Sequence, residues 1–138
     1  MIRKIGLALF GIVVAIALIT VVQMIGHNVY PPPPGTDFDD PAAIRALIEQ
    51  APAGALLFVI ASYVVGTFGG GFIAGLIARD APAMYAMIVG GFVLAGTFLN
   101  LVSIPHPVWF QVTALGSVIG TAFLTGRMTL ALATGRQA

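Results

Sequence analysis

The chain contains no cysteine. Disulfides, thiolate metal sites and cysteine nucleophiles are therefore excluded, and the redox compartment is left open. Charge is scarce as well. Only 8% of the 138 residues are Asp, Glu, Lys or Arg, against about 25% in a soluble globular domain. A surface so poor in charge would not stay dispersed in water, so lipid must cover much of it. No basic run of the kind that engages nucleic acid is present, and no nucleic-acid partner is expected. Catalytic patterns are missing too. Ser62, Ser103 and Ser117 lie outside any G-x-S-x-G elbow and have no motif base nearby. The run Gly66–Gly71 has no preceding strand and no GxGxxG order, so it is not a phosphate loop. An enzyme is not expected, and no cofactor is implied beyond a divalent metal considered below.

What the chain does have is apolar length. It is 59% hydrophobic, with a mean hydropathy of +1.03. Four runs stand out: about Ile5–Gly26, Gly54–Ala78, Met84–Val102 and Val108–Gly126. None contains an acidic or basic residue, and each is close to the ~20 residues that cross a ~30 Å hydrocarbon layer. In lipid the backbone must satisfy its own hydrogen bonds, so runs of this length read as helices. The expected fold is all-α: one membrane domain over residues 1–138, a four-transmembrane-helix bundle. Arg3 and Lys4 give the first run a signal-peptide-like start. The run is longer than the usual ~7–15 apolar residues and has no clear small-x-small site after it, so it reads as a retained helix.

Five of the six basic residues fall on one side of such a bundle: Arg3, Lys4, Arg79, Arg127 and Arg136. Arg45 alone falls on the other. The positive-inside rule then places both termini in the cytoplasm. The expected setting is a bacterial inner membrane, with the loop 27–53 on the periplasmic side. That loop holds four of the five acids, Asp37, Asp39, Asp40 and Glu49. It begins with Pro31–Pro34, which favour a stiff polyproline II spacer of roughly 12 Å, and Gly35 permits a turn. Asp40-Pro41 reads as an N-cap followed by proline at the first helical position. Ile44, Leu47 and Ile48 share a face, so Pro41–Gln50 is expected to be a short amphipathic helix. It either lies on the outer membrane surface or packs over the bundle ends.

Helix packing is written in small residues. The second run carries Gly66, Gly70, Gly71 and Gly75, with Thr67, Ala74 and Ala78 on the face of the last two. The third carries Gly90, Gly91 and Ala95, and the fourth carries Gly116-x-x-x-Gly120. Lipid tails are as apolar as leucine, so helices associate through close backbone contact, which small-xxx-small spacing permits. These glycines serve packing within the chain, self-association, or both.

Polar residues gather at the outer ends of the runs. Gln23, His27, Asn28 and Tyr30 close the first, Asn100 closes the third with His106 just beyond, and Trp109 and Gln111 open the fourth. One reading is an interfacial belt, with Tyr30 and Trp109 at headgroup depth. Another is a site in which His27 and His106 ligate a divalent metal, completed by Asp37, Asp39 or Asp40, or respond to pH. No H-x-x-x-H or H-E-x-x-H spacing is present. Gln23, Asn100 and Gln111 are expected to bond across helices, because an unsatisfied amide in hydrocarbon costs roughly several kcal/mol.

The segment His27-Asn28-Val29-Tyr30-Pro31-Pro32-Pro33-Pro34, followed by the glycine-rich "GTFGGGFIAG", resembles small bacterial inner-membrane proteins of four helices. The resemblance implies the fold and the membrane, and it carries no established activity or functional residue. Size and span count also resemble the small multidrug transporters, but the first run lacks their membrane-embedded glutamate, and that assignment fails. The leading expectation is a structural or accessory membrane protein that associates, through glycine-rich helix faces, with itself or another membrane protein. The runner-up is a homo-oligomeric channel or transporter for a small solute. An outer-face metal or pH sensor comes third.

Overall fold

The computed structural model describes residues 2–78 and 80–135. Arg79 and Arg136, two of the basic residues used for orientation, lie outside the described residues. The described chain forms helices in the order α1 (Ile2–Val29), α2 (Pro41–Gln50), α3 (Ala53–Ile77), α4 (Pro82–Ser103) and α5 (Val108–Gly135), with no strand among the described residues. α1, α3, α4 and α5 are long and apolar enough to cross a membrane, which suggests a multi-pass membrane protein. Large apolar side chains stay exposed along each of them, among them Val13, Leu57, Leu99 and Val112.

Proline sets the helix limits. Pro52 precedes α3, Pro82 opens α4, and Pro105 and Pro107 fill the turn before α5. Proline lacks the N–H that an interior helical position must donate, and it biases the preceding residue to extended backbone. Ile104, just before Pro105, is accordingly extended at φ −129° and ψ 127°. Where no breaker occurs, the helix continues. The fourth apolar run ends at Gly126 before Arg127, and α5 carries on beyond it to Gly135. One exposed Arg127 does not stop a helix, and Thr129 still packs into the core on the next turn.

α3 is the hub. It packs against α1, α4 and α5. α4 also touches α1 and α5, whereas α1 and α5 do not pack together. The four long helices thus form a rhomb, with α3 and α4 on its short diagonal. The glycines of α3 make this possible. A Cβ on Gly66 would strike Ala15 O of α1 at 2.8 Å, and one on Gly70 would strike Ala15 Cβ at 2.7 Å. On the opposite side, a Cβ on Gly75 would lie 2.6 Å from Thr129 Cγ2 of α5, and one on Gly71 would lie 3.3 Å from Ala86 O of α4. Two small faces on one helix therefore hold three neighbours close. Thr67, Ala74 and Ala78 are buried with them.

Lys4 Nζ lies 3.1 Å from Asp80 Oδ2. This pair ties the start of α1 to the α3–α4 turn, so both sit at one end of the bundle, the terminal end. The α1–α2 segment and the α4–α5 turn lie at the other, the loop end.

Candidate functional site

At the loop end the bundle opens into a cavity of about 800 Å³. Its origin is local. The α1–α3 connection cannot run straight across, because Pro31–Pro34 offer no donors and hold the chain extended. Thr36 then closes a turn, with its N–H and hydroxyl both donating to Pro33 O at 3.2 and 2.7 Å. Gly35 within that turn has φ 81°, the left-handed region that glycine tolerates. α2 starts as expected: the Asp40 carboxylate accepts from Ala42 N–H at 2.9 Å, and Pro41 stands at the first helical position. No residue of α2 is fully buried, and it lies across the bundle end without close packing on another helix. Its apolar face, including Leu47 and Ile48, turns toward the cavity, and Ile48 touches the core. The short helix expected over Pro41–Gln50 is formed with those bounds.

The structure brings together five of the polar residues singled out from sequence. Gln23, His27, Tyr30, Asn100 and His106 all line the cavity, and Asp37 joins them. Gln23 Nε2 donates to Ser62 Oγ on α3 at 3.2 Å, and Ser62 Oγ donates to Val59 O at 2.6 Å. This is a bond across helices, as expected. Gln111 does otherwise: its Nε2 donates to His106 O at 2.8 Å and braces the α4–α5 turn. The Asn100 side chain forms no hydrogen bond among the described residues. Three of the group stand apart from the cavity. Asn28 bonds back to Met24 O at 2.9 Å. Trp109 is exposed and meets Phe110 edge-on at 6.0 Å. Gln111 is held in the turn.

The histidines have defined proton positions. His27 Nδ1 lies 2.9 Å from Gln23 O, and His106 Nδ1 lies 2.7 Å from Ile104 O. A carbonyl only accepts, so each Nδ1 carries the proton, and in the neutral ring each Nε2 keeps its lone pair. His106 also stacks on Phe110, 4.7 Å between centroids. No group of three His, Asp or Glu close enough to hold a metal ion occurs among the described residues. The arrangement therefore shows two histidines on one cavity rather than an assembled ligand set.

Sequence reasoning missed the far wall. Tyr63 of α3 is 8% exposed and lines the cavity with Leu56 and Phe58. Tyr30 meets Phe58 edge-on at 6.1 Å, and its ring sits where a Cβ on Gly54 would be. Nothing in the spacing pairs residues about thirty apart across a proline loop. The one available hint was that Ser62 and Tyr63 are adjacent polar groups in an apolar run.

The glycines divide into two groups. Gly66, Gly70, Gly71 and Gly75 are consumed inside the bundle, as above. Gly116 and Gly120 are exposed, and a Cβ on either would meet nothing within 4 Å. On α4, Gly90 packs on Ala122, but Gly91 is as open as the α5 pair.

No protein-family model matches the chain, and comparison with curated proteins and with solved structures finds no significant match.

Proposed function

We propose that this is a non-enzymatic accessory protein of a bacterial inner membrane that docks against another transmembrane helix through α5. Its termini are cytoplasmic, as the distribution of basic residues implies. The observation that carries the proposal is the open Gly116-x-x-x-Gly120 face. Two glycines one turn apart cost helix stability, about 1 kcal/mol each relative to alanine. Elsewhere in the chain glycines at this spacing are repaid by close contact with a neighbouring helix. On α5 the contact surface is present and unfilled within the chain. In lipid, such a face associates with a second helix through close backbone approach.

Gentle extraction followed by native mass spectrometry tests this. Heteromeric masses, or multiples of 14.3 kDa, are expected for the native chain. The double variant Gly116→Ile, Gly120→Ile should release the monomer, because a branched side chain blocks the approach. A native chain that runs only as a monomer overturns the proposal, as does a variant that keeps its partners.

A further inference from the structure

We propose that the loop-end cavity is a binding site for a cationic amphiphile, an apolar chain carrying an amine head. The inference is independent of the α5 face. Its first support is size and shape. About 800 Å³ lies within the roughly 300–1,000 Å³ of small-molecule pockets. Leu47 and Ile48 of α2, Leu56 and Val59 of α3, and Ile104 form an apolar wall suited to a chain.

The second support is the chemistry of the polar lining. Among the described residues no Lys or Arg lines the cavity. His27 and His106 present Nε2 lone pairs, because their Nδ1 protons are already committed to backbone carbonyls. Asp37 adds a carboxylate, of which Oδ1 accepts from Asp39 N–H at 2.9 Å and Oδ2 remains. The lining therefore offers acceptors beside the amide donors of Gln50 and Asn100, and no fixed positive charge. The surrounding loop sets the same sign: Asp37, Asp39, Asp40 and Glu49 against Arg45 leave a formal charge of −3 over residues 27–53, four acids less one base. An anionic head would meet the Asp37 carboxylate with no counter-cation in the lining, and like charges repel. A cationic head meets Asp37 among the aromatic residues Tyr30, Phe58 and Tyr63, and cations are attracted to aromatic rings.

The third support is Tyr63. It is more than nine-tenths buried on the cavity wall, and its hydroxyl forms no hydrogen bond among the described residues. That hydroxyl opens to the cavity, where an amine head supplies an N–H for its oxygen to accept. Access follows from α2, a lid hung between Gly35 and Pro52 without close packing on the helices below.

The test uses the full chain in phosphatidylcholine nanodiscs with three photoactivatable lipids. They share one diazirine-bearing chain and end in an amine, an alcohol or a carboxylate. Crosslinked residues are read by peptide mass spectrometry. The amine is expected to label Leu47, Leu56 and Ile104 about tenfold more than the carboxylate, a difference of about 1.4 kcal/mol. Asp37→Asn should lower amine labelling severalfold and leave the alcohol unchanged. Asp37 is exposed, so this variant keeps the fold. Ala46→Phe, which fills the cavity from the exposed helix α2, should lower labelling of the wall. Equal cavity labelling by the carboxylate or the alcohol overturns the charge preference. Amine labelling at lipid-facing Phe98 and Leu99 that equals labelling in the cavity overturns the site itself.

Discussion

Asp80 and Lys4 join the start of α1 to the α3–α4 turn at 3.1 Å, and both side chains are more than half exposed. The hydrogen bond from Lys4 holds the Asp80 carboxyl below its ordinary value of 3.8, helped by its own backbone amide. A depressed acid stabilises the fold above its unfolded titration range, and that contribution is lost as pH falls through the folded value. Lys4→Met should therefore raise the Asp80 titration toward 3.8, read by carboxyl carbon NMR, while stability at pH 7 changes little, as for most exposed pairs. Tyr85 makes an opposite case. It is 1% exposed, and its hydroxyl, like Thr67 Oγ1, has no hydrogen-bond partner among the described residues. An unsatisfied buried hydroxyl costs about 1–3 kcal/mol, so Tyr85→Phe should leave the bundle as stable or more stable in a steric-trap unfolding measurement. Gln23 and Ser62 form one bond between α1 and α3. A double-mutant cycle with Gln23→Leu and Ser62→Ala should give a coupling of about 1 kcal/mol or less.

Among the elements, α3 and α5 use the same glycine spacing for different ends. A Cβ on Gly70 meets Gly11 O and Ala15 N at 2.5 and 2.9 Å, backbone atoms that cannot rotate away. Gly70→Ala is expected to destabilise the bundle by about 1–3 kcal/mol, the usual cost of overpacking. Gly116→Ala should instead be neutral or stabilising, by up to about 1 kcal/mol, since helix propensity improves and nothing is struck. Measuring both in the same unfolding assay separates a packing glycine from an open one. A comparable loss for the two would show that α5 is not free. α2 depends on its start. Asp40→Ala removes the cap on Ala42 N–H and should weaken the helix by about 1 kcal/mol, seen as faster amide exchange in residues 42–44.

At the level of the complete bundle, the rhombic arrangement leaves α1 and α5 on opposite sides and their outer faces available to lipid or to another protein. It also leaves α2 spanning a gap rather than a packed surface. The α5 face and the cavity are therefore separate consequences of one packing scheme. The Gly116→Ile, Gly120→Ile variant should lose partners and keep amine labelling of the cavity. Ala46→Phe should do the reverse. Joint loss in both variants would mean that the two features form a single site.

Periodicity and length were enough to place the long helices, because about twenty uncharged residues in lipid have few alternatives to helix. Local chemistry was enough for the Asp40 cap, the Gly35 turn and the extent of α2, since each depends on neighbours within a few residues. The even number of apolar runs brought the two histidines to the same end. Small-xxx-small spacing marked Gly66, Gly70, Gly71, Gly75, Gly116 and Gly120 alike, and could not separate them. Which of these faces is filled depends on the rotation of each helix about its own axis. That rotation is set by the sum of its contacts and not by its own residues. The same holds for the cavity: Gln23 meets Ser62, and His27 shares a cavity with Tyr63, only because α1 and α3 pack at a particular height with a proline-stiffened loop holding α2 above them. Sequence alone determined the number and order of the helices. The tertiary structure decided which small faces are closed, which remain open, and where the space between them lies.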